Sequence, residues 1–136
     1  MSISVQQAQG RVPVAIVCIE GALDASNYQD LIATAREVYA AGTRHILLDM
    51  THTSFMSSSG IVALHSIALL LRGQPAPDPE SGWAALHSVR DTRDAGMQQY
   101  LKLLNPQPQV QQVLDKVGLA GLFDSHTDLA TAVASF

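Results

Sequence analysis

The stretch Val12–Glu20, VPVAIVCIE, constrains the fold more than any other part of this chain. Its apolar residues run almost without a break and several are β-branched. A strand with one wet face would alternate, whereas this pattern suits a strand covered on both faces, as in the sheets of α/β proteins. Pro13 is tolerated near its start. Two more runs, His45–Met50 (HILLDM) and Gln98–Leu104, read as further strands of a parallel set. Between the first two, Tyr28, Leu31, Ile32, Ala35 and Tyr39 recur at helical spacing within Ser26–Ala41. Ser26 and Gln29 form a capping-box pattern there, and Gly42 stops the helix.

The flanking segments extend the alternation. Ile3–Gln9 alternates weakly and can pair with the first run through a turn at Gly10-Arg11. Asn105-Pro106 breaks the third run, and Gln109–Val117 follows as a helix with Val110, Val113, Leu114 and Val117 inward and Gly118 at its C-cap. Leu122–His126 is a weak last strand. Thr127–Phe136 closes as a short helix packing Leu129, Val133 and Phe136. The predicted fold class is α/β, a small mainly parallel or mixed β-sheet with helices, in the order β-β-α-β-α-(insert)-β-α-β-α. Right-handed crossovers bring the strand-to-helix loops to one edge, the carboxyl end where α/β folds hold their sites. Those loops are Leu23–Asn27, Phe55–Ser59 and Asn105–Gln107.

Residues 73–97 interrupt the pattern. Pro75, Pro77 and Pro79 alternate with polar residues, and SGWAALHSVRDTR then reads as a short helix capped by Ser81. This is an expected insertion within a single domain spanning 1–136, with Trp83, Leu86 and Val89 the candidates for docking on the core. It joins a helix end to a strand start, so it begins and ends at the edge opposite the site. The helix before it, Ser58–Arg72, is apolar almost all round, interrupted by His65, Ser66 and Arg72. A helix lying on a sheet needs one apolar face, so part of this one is expected to face solvent, the insert or another protein.

Bulk properties exclude several functions. With 47% hydrophobic and 15% charged residues, the 136-residue chain is of globular type, with room for one modest core. A formal charge of −4 and scattered basic residues argue against nucleic acid as a partner. The apolar stretches are too short for membrane insertion, and the N-terminus lacks a signal-peptide pattern, so a cytoplasmic location is expected. Cys18 stands alone within an apolar run, as a structural rather than a reactive cysteine. His45, His52, His65, His87 and His126 are dispersed without metal-ligand spacing, and no phosphate-binding glycine loop is present, so neither metal nor cofactor is expected.

The chemistry concentrates in LLDMTHTSFMSSSGI, which ends a strand, turns and starts a helix. Ser57 is positioned as N-cap, with Ser58 and Ser59 in the first helical turn. Backbone N–H groups there lack intrahelical partners and the helix dipole favours negative charge, so a phosphate on Ser59 would be well accommodated. It would add nearly two negative charges to an exposed loop. Capping and a tight turn suffice, equally, to account for three serines and a glycine. A serine nucleophile would need a base; His52 and Asp24 share the edge, but neither G-x-S-x-G nor S-x-x-K is present.

Gly21-Ala22-Leu23-Asp24 after a covered strand, then LLDMTHTSFMSSSGIVAL, then LKLLNP with QQVLDKVGL, resembles the STAS domain family of anti-sigma factor antagonists. The likeness runs over most of the chain, outside 73–97. It implies an Asp-Ser-Ser/Thr-Gly motif whose last hydroxyl is phosphorylated. Aligned on Gly60, that residue is Ser59, with Ser58 and Ser57 secondary candidates; Ser57 stands where the family carries Asp. The implied partners are an anti-sigma factor that is a serine kinase of the histidine-kinase-like ATPase type, and a resetting phosphatase. The implied partner-binding residues are Asp24, Ser26, Asn27, Met56, Ser57, Ser58, Ser59, Gly60 and Ile61, and the role is partner switching rather than catalysis. The family also supplies constitutive subunits of lipid-transporting ABC systems and of larger signalling assemblies, which is the alternative reading.

Overall fold

A computed structural model describes residues 2–73, 98–116 and 123–136. Its elements follow the expected alternation: β1 (Ser2–Gln9), β2 (Pro13–Leu23), α1 (Tyr28–Ala40), β3 (Ile46–Asp49), β4 (Thr53–Met56), α2 (Ser58–Leu71), β5 (Gln98–Leu104), α3 (Pro108–Lys116), β6 (Phe123–His126) and α4 (Leu129–Ala134). The strands form one sheet in the order β1-β2-β3-β5-β6, with β4 also on β2. Among the described strands only β1 pairs antiparallel; the pairs β2–β3, β2–β4, β3–β5 and β5–β6 are all parallel.

The apolar run of β2 is covered on both faces, as its composition requires. Val14, Ala15, Ile16, Val17 and Ile19 are all buried. Ala15, Val17 and Ile19 enter the larger cluster, which α1 and α2 complete through Leu31, Ile32, Ile61 and Leu64. Val14 and Ile16 face the other way, joining Leu47 and Leu104 beneath Ala132 and Val133 of α4. Burying a side chain of this size stabilises by about 1.5–3 kcal/mol, so both layers hold the long strand.

A buried lysine fastens the smaller layer. Lys102 Nζ donates to the Ser135 carbonyl at 2.9 Å and to Ser135 Oγ at 3.1 Å, and lies 3.6 Å from Asp124. It thereby ties the last turn of the chain to β5. Nearby, His45 packs its ring on Tyr100 and Phe136, where burial and then the Lys102 charge hold its pKa below the ordinary value.

Several expectations are corrected. The β4 strand lay hidden inside what reads as a loop. Its burial runs buried, exposed, exposed, buried, because its register on β2 shifts between Gly21 and Ala22 and destroys the two-residue alternation. No Ser26–Gln29 capping box forms; α1 starts after Asn27, and Ser26 bonds Asp24 instead. Leu129 is exposed, because in a six-residue helix only Ala132 and Val133 reach the sheet. Cys18 is half-buried rather than buried, its thiol pKa pushed up by burial, Asp49 and Glu20. Of the three surroundings expected for the apolar surplus of α2, open solvent is the one excluded. Gly60 through Ala68 and Leu71 are buried, and only Leu69 and Leu70 keep partial exposure near its end. The expected insert, with Trp83, Leu86 and Val89, and the cap at Val117-Gly118 lie outside the described residues.

Candidate functional site

The β4-to-α2 turn is positioned by hydrogen bonds from three directions. Ser57 has extended backbone, and its Oγ accepts from the Ser59 N–H at 3.2 Å, which makes it the N-cap of α2 as its sequence position suggests. The Gly60 N–H closes onto the Ser57 carbonyl at 3.0 Å, while the Ser57 N–H donates to the Leu23 carbonyl at 3.0 Å. The end of β2 and the start of α2 are therefore joined directly. From the far side, Gln109 of α3 grips the Met56 peptide: its Oε1 accepts from Met56 N at 2.9 Å and its Nε2 donates to Met56 O at 3.4 Å.

Gly60 is required by close approach rather than by backbone conformation. A Cβ at this position would overlap Met56 Cγ and come within 3.2 Å of Leu23 Cδ2, and both of those side chains are fully buried. The helix can sit this low over β2 and β4 only because nothing projects there. Consequently Ser58 is exposed and Ser59 half-exposed on the last open turn before the core begins at Gly60. The first turn of α2 holds no acidic residue, so its positive dipole end is not offset by a carboxylate of its own.

The neighbouring β2-to-α1 turn is bound up internally. Asn27 Nδ2 donates to the Ala22 carbonyl at 2.8 Å and Asn27 Oδ1 accepts from the Asp24 N–H at 2.9 Å. Asp24 Oδ1 accepts from Ser26 N at 2.9 Å and Ser26 Oγ at 2.5 Å. The Ser26 hydroxyl, then the Ser26 N–H, hold the Asp24 carboxyl below its usual pKa.

The expected site residues thus divide. Asp24, Ser26 and Asn27 occupy one turn and Met56 through Ile61 the next, with the bond from Ser57 to Leu23 between them. Among these, Met56, Gly60 and Ile61 are buried and support the surface from below. The third loop attaches elsewhere: Gln107 Nε2 donates to the Thr51 carbonyl at 2.7 Å and Asn105 Nδ2 to Thr51 Oγ1 at 3.2 Å. Sequence reasoning missed Gln109 and Thr51, which carry these contacts; neither bears a local mark of a partner 53 to 56 residues away. Among the described residues, neither Asp24 nor His52 hydrogen-bonds the Ser59 hydroxyl, and no group of acidic, histidine or cysteine side chains could hold a metal ion. No helix among them is long and apolar enough to cross a membrane.

A small mixed α/β domain with a serine-rich helix start at its carboxyl edge is the class that these features define. The STAS domain family model matches residues 5–74, just over half of the chain, and the protein belongs to that family. None of the curated proteins matches the sequence. Solved structures share the fold at low identity. An anti-sigma factor antagonist from Mycobacterium paratuberculosis superposes with a TM-score of 0.63 at 16% identity, covering 98% of this chain and 93% of that one. The anti-sigma factor antagonist SpoIIAA in its unphosphorylated form gives 0.54 at 16% identity, over 97% and 94% of the two chains. The Bacillus cell fate determinant SpoIIAA in its phosphorylated form gives 0.54 at 17% identity, over 96% of each.

Proposed function

We propose that this domain is an anti-sigma factor antagonist that switches partners through phosphorylation of Ser59 in the cytoplasm. The unphosphorylated form binds an anti-sigma factor that is itself an ATP-dependent serine kinase; phosphorylation ends the complex, and a phosphatase resets it. The observation that carries this reading is the position of Ser59. It is half-exposed in the first turn of α2, its backbone N–H fixed by the Ser57 cap and the helix dipole uncompensated. A phosphate there gains from the dipole while placing nearly two negative charges on the exposed edge formed with Asp24, Ser26 and Asn27. Binding, not catalysis, is the role this geometry supports, since the Ser59 hydroxyl has neither Asp24 nor His52 as a base.

One departure favours a second reading. Ser57 stands where the family carries Asp, and it supports α2 through its hydroxyl without supplying a carboxylate beside the phosphoacceptor. A constitutive subunit of a transporter or signalling assembly would keep the cap and not need the charge. Incubation with ATP and the host's candidate anti-sigma kinases, read by intact mass, separates the two. The switch requires a single added phosphate that Ser59→Ala abolishes. Absence of phosphate under conditions that modify a known antagonist would leave the constitutive subunit. In the same system Ser59→Asp should weaken kinase binding at least about tenfold relative to Ser59→Ala. Equal affinities would remove the electrostatic basis of the switch.

A further inference from the structure

The two outer strands of the sheet are unequally protected. At one end, β6 has four residues, two of them Asp124 and His126, and short charged strands make poor templates for another chain. At the other end, β1 runs for eight residues, SISVQQAQ, without a charge, a proline or a glycine. Its inner side is paired with β2 along the whole length, from Ser2 opposite Glu20 to Gln9 opposite Pro13. No strand pairs with its outer side among the described residues, and Ser2, Ser4, Val5, Gln6, Gln7 and Gln9 are exposed. Alternate residues of such a strand direct both N–H and C=O outward, leaving a row of donors and acceptors without strand partners among the described residues.

We infer that the outer edge of β1 pairs antiparallel with β1 of a second copy of this chain, joining two sheets across a two-fold axis. Charge is the first argument for self-pairing. The protein is net negative, yet this strand carries no charge, so two copies bring no like charges together across the ladder. Register is the second. A two-fold perpendicular to the sheet keeps the helices of both copies on one side, so residues that meet must share a face. In the register centred on Val5, Ser2 meets Ala8, Ile3 meets Gln7, Ser4 meets Gln6, and Val5 meets its own counterpart. Val5 is 42% exposed, one of few large apolar side chains left so among the described residues, and this register packs the two valines together. Directly opposed β-branched residues stabilise such a ladder. One strand pair is a small interface, so the dimer is reversible, with a dissociation constant of about 10 µM to 1 mM.

Sedimentation of the intact protein up to about millimolar concentration tests this. The wild type should dimerise as concentration rises. Val5→Lys opposes two ammonium groups at the axis and should raise the dissociation constant at least about tenfold. The melting curve should stay unchanged, because the side chain is exposed in the monomer. In a Cys18→Ser background, Val5→Cys should form a disulfide-linked dimer with diamide as oxidant, while Gln9→Cys, far from the axis, should not. A wild type that stays monomeric, a dimer indifferent to Val5→Lys, or equal cross-linking at both positions would overturn the inference. Phosphorylation enters none of these readouts, so they stand apart from the fate of the Ser59 switch.

Discussion

Two strand-to-helix turns meet at the carboxyl edge of this sheet, joined by the bond from the Ser57 N–H to the Leu23 carbonyl, and they solve the same problem differently. The β2-to-α1 turn is held by side chains that fold back on their own segment, with Asn27 bridging Ala22 and Asp24, and Asp24 in turn binding Ser26. The β4-to-α2 turn has one local side-chain bond, from the Ser57 hydroxyl to Ser59. Its remaining support is non-local: the Gln109 grip on Met56 and the packing of Gly60 onto Met56 and Leu23. The first turn is therefore a self-contained unit. The second is shaped from beneath, which leaves the hydroxyls of Ser58 and Ser59 uncommitted above.

The second turn, shaped from beneath, should be the more sensitive to volume. Gly60→Ala inserts a methyl group against two buried side chains in a packed layer, a change that costs about 1–3 kcal/mol by overpacking. Alanine's better helix propensity returns up to about 1 kcal/mol of that. Net destabilisation in urea unfolding is the expected outcome. A variant as stable as the wild type would mean that Met56 gives way freely and that close approach does not shape this turn.

The same contrast explains what could be read from the sequence. Local signals were legible: the covered strand Val14–Ile19, the α2 start at Ser57-Ser58 and the stop at Gly42, whose φ of 104° suits only glycine well. Non-local support was not. A strand of four residues with a register slip shows no alternation, so β4 was invisible. Gln109 lies 53 residues from the peptide it holds, and nothing in its own neighbourhood announces the partner. Ser26 misled for the opposite reason. Its spacing to Gln29 fits a cap, but Asp24, two residues away, competes for the same hydroxyl and wins.

The first turn should respond to loss of hydrogen bonds rather than to volume. Asn27→Ala removes two part-buried bonds and leaves the Ala22 carbonyl and the Asp24 N–H without these partners. At roughly 0.5–1.5 kcal/mol net per bond, the loss should be about 1–3 kcal/mol, comparable with the net cost of Gly60→Ala. Because Leu23 also receives the Ser57 N–H, amide exchange should quicken at Ser57 as well as at Asp24. Faster exchange confined to Asp24 would show the two turns to be independent units.

The smallest expected effect separates the turns by charge. The first contains Asp24; the segment Ser57–Gly60 of the second contains no titratable side chain until it is phosphorylated. Bonds from the Ser26 hydroxyl and N–H favour the Asp24 carboxylate in the fold, so its folded pKa lies below the unfolded one. Its contribution is therefore fully present above the unfolded value, about 3.9, and is lost as pH falls through the folded pKa. Asp128, lowered in the same way by Thr131, adds a similar slope from α4, so the wild-type profile alone cannot assign it. Subtracting the profile of Asp24→Asn isolates the turn. Between about pH 5 and 2 the wild type should lose slightly more stability than the variant, because only it gives up a carboxylate at this position. Exchange at the Ser26 amide should accelerate over the same interval in the wild type, after correction for the intrinsic pH dependence. At Ser59, whose N–H is held by a neutral hydroxyl, the corrected rate should not follow Asp24. Parallel acceleration at both amides would show that the bond between Ser57 and Leu23 transmits the loss of the Asp24 charge to the helix start that carries the proposed phosphoacceptor.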